Sequence, residues 1–136
     1  MLKKLKIPVE EFTSPAAIII QEETKIPEIL SQMREHGCRH IPVVKNTQIV
    51  GIISERDVYK KCYEKSDSAA SLIASDIMNR DVYRVQSGTN IDKVVFNMSD
   101  KKIGSAIVEN SEDDSYGIFT LTDALNALVE IIRNEI

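Results

Sequence analysis

Apolar positions recur at helical spacing twice along this chain. Ile26, Ile29, Leu30 and Met33 form one stripe, and Ile91, Val94, Val95 and Met98 form another. A short apolar run precedes each stripe, Ala17–Ile20 and Val82–Val85, and reads as a strand. Thr24 and Thr89 stand where a hydroxyl is expected to cap each helix. Pro27 is compatible with the first turn, where backbone donors have no partner in the helix, and Gly37 is a natural stop. Two strands follow each helix: Ile41–Lys45 and Gln48–Ile53, then Ala106–Glu109 and Tyr116–Phe119. Their joins are Asn46-Thr47 and the longer, acidic Asn110–Ser115. A second helix closes each set, over Glu55–Glu64 and Leu121–Glu135. The predicted unit is β-α-β-β-α, present twice, and the fold class is α+β.

The two sets register against each other. At an offset of 65, Thr24 falls on Thr89, Ile26 on Ile91, Ile29 on Val94, Met33 on Met98, Cys38 on Ile103 and Val43 on Val108. With one extra residue in the second copy, Gly51 falls on Gly117, Ser54 on Thr120 and Asp57 on Asp123. Apolar matches alone arise easily by chance. A glycine, a hydroxyl and a carboxylate in the same late register do not. The division expected is repeat 1 over 8–64, a serine-rich linker over 65–71, and repeat 2 over 72–136. Ser71 is placed to cap a short helix over Leu72–Met78.

Composition narrows the classes. The chain has 136 residues, 43% hydrophobic and 28% charged, which is a globular balance long enough for a core without metal or disulfide. The net charge of −4 disfavours a general nucleic-acid coat, whose affinity comes from neutralising phosphates. No apolar run is long enough to cross a membrane. The start has cationic residues but no apolar core behind them, so no signal peptide is expected. Two cysteines make no disulfide framework, and a cytoplasmic location is the simplest expectation.

The ends of the third strands carry the candidate chemistry: Gly51-Ile52-Ile53-Ser54-Glu55-Arg56-Asp57 and Gly117-Ile118-Phe119-Thr120-Leu121-Thr122-Asp123. Each delivers a hydroxyl to a helix N-terminus, with a carboxylate three residues on. Free backbone amides there suit an anion, and a carboxylate can accept from a ribose diol. The same pattern is also an ordinary capping box.

In these residues the chain resembles a tandem pair of CBS domains, the Bateman module. The marks in copy one are Cys38-Arg39-His40-Ile41-Pro42-Val43-Val44 and Ile49–Val58. In copy two they are Lys102-Ile103-Gly104-Ser105-Ala106-Ile107-Val108 and Tyr116–Leu125. The resemblance covers about residues 8–136. Each piece is weakly specific, whereas the ordered set, occurring twice, is strongly so. Copy two departs by having Ile107 where the family favours proline, as at Pro42, and by its acidic loop Glu112-Asp113-Asp114. Copy one has Glu11-Phe12 where many members carry Asp-x-Met.

The resemblance implies two repeats packed about a pseudo-twofold axis, with clefts that bind AMP, ADP, ATP or S-adenosylmethionine as regulatory ligands. It implies no obligatory cofactor. One implied cleft takes Thr120, Thr122 and Asp123, with Thr13, Ser14 and Ala16, and with Arg39, His40 and Ile41. The other takes Ser54, Arg56 and Asp57, with Asn79, Arg80 and Val82, and with Gly104, Ser105 and Ala106. The Asp would hold ribose, and apolar residues would face adenine. Arg39 and His40 suit phosphate and give the first cleft a phosphate preference. Lys101 and Lys102 are candidates for further charge or for a solvated helix end.

Other chemistry finds less support. His36, Cys38 and His40 alternate as metal ligands on one face of a strand would, but Gly37 breaks the geometry, so no metal is expected. Cys62 has no visible base partner. No phosphate loop, HExxH helix or G-x-S-x-G elbow occurs, so no catalytic activity is expected. The competing reading is a protein-interaction module with empty clefts. Ala124, Leu125, Ala127, Leu128, Val129, Ile131, Ile132 and Ile136 make the last helix apolar over more than one stripe, which suggests a homodimer or another, unidentified regulated protein.

Overall fold

The computed structural model describes residues 5–16, 18–113 and 115–134. Among them are five α-helices and two sheets. The chain divides into two compact units that do not follow the order of the chain. One runs up to Pro15 and resumes at Tyr83; the other is Ala16–Val82.

The second of these units holds β2 (Ile20–Gln21), α1 (Ile26–His36), β3 (His40–Lys45), β4 (Gln48–Ser54), α2 (Glu55–Glu64) and the short α3 (Ala74–Ile77). Its sheet has the order β2-β3-β4, parallel and then antiparallel. The first unit holds β1 (Ser14–Pro15), β5 (Arg84–Gln86), α4 (Ile91–Lys101), β6 (Ser105–Glu109), β7 (Tyr116–Thr120) and α5 (Leu121–Ile132). Its sheet order is β1-β7-β6-β5.

Each unit has its own core. One gathers Ile26, Ile29 and Met33 of α1 with Ile41, Val43 and Ile53 of the sheet and Val58 of α2. The other gathers Ile91, Val94 and Met98 of α4 with Ala106, Val108 and Phe119 of the sheet and Ala127 of α5. These are the stripes read from the sequence, with Leu30 and Val95 partly buried at their edges. Each core is completed from elsewhere in the chain. Ile7 and Val9 enter the unit of the second repeat, and Ala74, Ile77 and Met78 enter the unit of the first.

Several boundaries differ from expectation. The first strands lie later and are shorter, at Ile20–Gln21 and Arg84–Gln86, because pairing starts only opposite Val43 and Ile107; Ala17 lies outside the described residues. Thr24 and Thr89 do not cap the helices. Lys25 and Asn90 occupy the N-cap positions without a side-chain bond. Instead, the Ile26 amide donates to the Leu72 carbonyl at 3.3 Å and the Ile91 amide to the Ile7 carbonyl at 2.8 Å. A backbone acceptor thus replaces the hydroxyl. Ser71 is no cap either. It lies in a 3-10 turn, and the helix after it spans only Ala74–Ile77, held by the Asp76 carboxylate accepting from the Ile73 amide at 2.9 Å. The last helix ends at Ile132, with Asn134 left-handed beyond it (φ 58°). Glu135 and Ile136 lie outside the described residues.

Gly37 closes α1 in the left-handed conformation (φ 62°), as its sequence position suggests. Lys102 does the same for α4 with φ 56°. Asn46 and Thr47 both have positive φ, the two-residue hairpin geometry that suits strand twist. No helix among the described residues is long and apolar enough to cross a membrane.

Candidate functional site

Both third strands end in a reciprocal N-cap. At β4–α2 the Asp57 amide donates to Ser54 Oγ at 3.1 Å, and the Ser54 amide donates to Asp57 Oδ2 at 3.2 Å. At β7–α5 the Asp123 amide donates to Thr120 Oγ1 at 3.4 Å, and the Thr120 amide to Asp123 Oδ2 at 2.8 Å. The Thr120 hydroxyl also donates to Asp123 Oδ2 at 3.1 Å. The capping box is therefore real in both units, and it engages one oxygen of each carboxylate. The other oxygen, Oδ1, has no protein donor among the described residues. All four capping residues are half-buried.

Hairpin register places the start of the preceding strand beside each cap. His40 stands opposite Ser54, and the Glu55 amide donates to the Arg39 carbonyl at 2.8 Å. Ser105 stands opposite Thr120, and the Leu121 amide donates to the Gly104 carbonyl at 3.2 Å. Arg39 and Gly104 are exposed, while His40 and Ser105 are half-buried. Arg56 and Thr122 are exposed in the first turns of α2 and α5.

A third segment crosses the same strand in each unit. Ser14 and Pro15 pair antiparallel with Ile118 and Gly117. Asn79 exchanges both backbone bonds with Ile52, at 2.9 and 3.0 Å. These approaches need glycine. A Cβ on Gly117 would stand 2.6 Å from the Ser14 carbonyl oxygen, and one on Gly51 would stand 2.6 Å from Met78 Sδ. The sequence marked both glycines only as points of register. Their presence in mid-strand, in both copies, was the available signal of close backbone approach.

The candidate residues therefore fall into two groups. Thr13, Ser14, Gly104, Ser105, Ala106, Thr120, Thr122 and Asp123 belong to one unit; Ala16, Arg39, His40, Ile41, Ser54, Arg56, Asp57, Asn79, Arg80 and Val82 belong to the other. Several have local duties. Thr13 Oγ1 donates to the Val9 carbonyl at 2.8 Å. Asn79 Oδ1 accepts from the Asp81 amide at 3.0 Å, and Arg80 donates to the Ser75 carbonyl at 3.1 Å. Ile41 and Ala106 turn into the cores of their own units, so their side chains are not open to a ligand. Ala16 and Val82 are half-buried.

Neighbouring cations and thiols are also placed. Lys101 Nζ sits 5.4 Å from the Tyr83 ring centre, which occupies it within its own unit. His36 Nδ1 lies 3.1 Å from the Gln32 carbonyl at the end of α1, away from a strand ligand set. Burial pushes the Cys38 thiol up, which opposes thiolate formation. Among the described residues no three His, Cys, Asp or Glu side chains gather as a metal site.

The CBS domain family matches residues 9–64 and 74–130. An uncharacterised protein of Methanopyrus kandleri is 32% identical over 112 residues, covering 79% of this chain and 57% of that protein. Two other curated relatives are longer still, and the chain spans a quarter or less of each. Among solved structures, the CBS domain pair of protein MJ0100, in complex with 5′-methylthioadenosine and S-adenosyl-L-methionine, superposes with a TM-score of 0.77 at 24% identity, covering 90% of this chain and 99% of that one. The CBS domain of a bacterial CNNM/CorC family Mg2+ transporter in complex with ATP gives 0.76 at 23% identity, covering 90% and 87%.

Proposed function

Because the chain belongs to the CBS domain family, with copies at 9–64 and 74–130, we propose that it is a regulatory module that binds an adenine nucleotide or adenosyl compound. The ligand class is AMP, ADP, ATP or S-adenosylmethionine, bound at the capped strand ends. The observation that carries this reading is the doubled cap. Asp57 and Asp123 each give Oδ2 to a backbone amide and keep Oδ1 for an incoming donor. A ribose diol offers such a donor pair, and the helix N-terminus beside it favours phosphate. The complexes of the two solved relatives with adenosyl ligands support the class.

The module works in the cytoplasm as a homodimer and has no catalytic role of its own. Occupancy passes to a regulated protein as a change of packing, which requires the ligand to prefer one of two states.

Thermal unfolding against AMP, ADP, ATP, NAD and S-adenosylmethionine tests the reading. A ligand at about 100 times its dissociation constant adds about 2.7 kcal/mol to the folded state. Asp123→Asn is the informative companion, because an amide oxygen can still accept from the Thr120 amide while the second acceptor is lost. A rise in midpoint that this variant weakens is the expected result. No rise with any compound at millimolar concentration overturns the sensor and leaves the interaction module, which the exposed side of α5 favours.

A further inference from the structure

The segments that lead into the two repeats cross equivalent glycines but carry different side chains there. Asp76-Ile77-Met78 leads into the second repeat, and Glu11-Phe12-Thr13 holds the same place before the first, 65 positions earlier. Met78 is buried, and its Cγ and Sδ lie over Gly51, 2.8 and 2.6 Å from where a Cβ would stand. Over Gly117 the corresponding side chain is Thr13. Its Cγ2 comes equally close, at 2.6 Å, and the side chain ends there.

A cavity of about 200 Å³ opens beside Thr13. Pro15 and Val108 give it apolar wall, and Glu10, Ser87 and Tyr116 give it polar groups. All of them belong to one unit. The volume matches about six or seven liquid waters and falls short of the roughly 300 Å³ at which drug-sized sites begin. Tyr116 and Thr120 are opposite ends of β7, about 13 Å apart at the rise of a strand, so the cavity is distinct from the capped strand end.

Its charge has one sign. Glu10 Oε1 accepts from the Gly88 amide at 2.7 Å, and Ser87 hydrogen-bonds the same carboxylate, which holds the group in place. A carboxylate has about four acceptor sites, so capacity remains for a further donor. Among the described residues no Lys or Arg lines the cavity. The loop that flanks it between Asn110 and Ser115 adds Glu112 and Asp113. The aromatic ring of Tyr116 also favours a cation at its face.

We propose that this cavity binds a small organic cation, an alkylammonium of about half a dozen non-hydrogen atoms. Its ammonium meets the Glu10 carboxylate, and its alkyl part takes the room that a methionine side chain fills over Gly51 in the other unit. An anion of the same size is repelled, and a neutral alcohol gains only the apolar wall.

An NMR titration of the ¹⁵N-labelled full chain tests this, with n-butylammonium, 1-butanol and butyrate as probes at matched pH and ionic strength. Butylammonium should shift the Gly88 and Gly117 amides saturably, with a dissociation constant of about 1–10 mM. Butanol should bind at least about fivefold more weakly, and butyrate should leave these amides unmoved. Glu10→Gln should weaken butylammonium about fivefold without changing butanol. Thr13→Met copies the arrangement at Met78 and should abolish the shifts, the dispersion of its spectrum showing that it is folded. Equal affinity for butylammonium and butanol overturns the cation preference. Shifts that persist in folded Thr13→Met overturn the placement. No saturable shift at either glycine up to about 100 mM overturns the site.

Discussion

The Val9 amide donates to the Thr89 carbonyl at 2.8 Å. The same bond recurs 65 positions along, with its members exchanged between copies: the Ala74 amide donates to the Thr24 carbonyl, also at 2.8 Å. Val9 is fully buried, as is Ala74. The leading segment of each repeat therefore fastens to the turn before the long helix of the other repeat. Val9→Ala should lower stability by about 2 kcal/mol, from lost burial and an unfilled cavity. Chemical denaturation measures it. A change under about 0.5 kcal/mol would mean that this segment is not part of the folded core.

Gly117 and Gly51 should respond unequally to alanine. The Gly117 methyl would meet the Ser14 backbone oxygen at 2.6 Å, and a paired strand cannot easily move away. At Gly51 the nearest atom is Met78 Sδ, the flexible part of a side chain, although the Asn79 oxygen stands at 3.0 Å. Gly117→Ala should cost about 2–3 kcal/mol and Gly51→Ala nearer 1 kcal/mol. Equal midpoints for the two variants would contradict the geometry.

Lys102 holds a left-handed conformation (φ 56°) at the helix end where the first repeat has Gly37. A side chain there costs about 1 kcal/mol relative to glycine. Lys102→Gly should stabilise the protein by up to about that amount, and Gly37→Ala should destabilise it similarly. Thermal melts of the pair suffice, and a fall in midpoint for Lys102→Gly would refute the assignment.

Glu10 gives an acid-side dependence. Desolvation pushes its carboxyl up, but hydrogen bonds from the Gly88 amide at 2.7 Å, from its own backbone and from Ser87 outweigh it, so the folded pKa lies below the ordinary glutamate value. A depressed folded pKa contributes stability above the unfolded value and loses it as pH falls through the folded one. Glu10→Gln should therefore flatten the loss of stability between about pH 5 and pH 3 and leave the neutral side parallel to wild type. Identical acid limbs for the two proteins would remove Glu10 from the account.

What could be read in the sequence was what is local. The stripes of α1 and α4 repeat at helical spacing, and the caps at Ser54 and Thr120 depend on residues three apart. The first strand of copy one begins later than its apolar run, because Ile18 and Ile19 have strand character although only Ile20 and Gln21 find partners in β3. Thr24 and Thr89 looked like caps because the carbonyls of Leu72 and Ile7, which take that role, lie tens of residues away. For the candidate site, the hydroxyl–carboxylate pairs and the His40 and Ser105 positions beside them follow from hairpin register. The passage of Ser14 over β7 and of Asn79 over β4 has no local pattern beyond the two glycines.

The crosswise placement of the leading segments bears on what a fragment of this chain could do. Cleavage in the linker would leave one piece with Ile7 and Val9 but not the helix that holds them, and another with Ala74, Ile77 and Met78 but not theirs. Neither piece would fold to completion alone, and each would carry the missing part of its counterpart. Two such polypeptides, mixed, should reconstitute both units. A gene encoding a single repeat would meet the same need by reciprocal exchange between two identical chains.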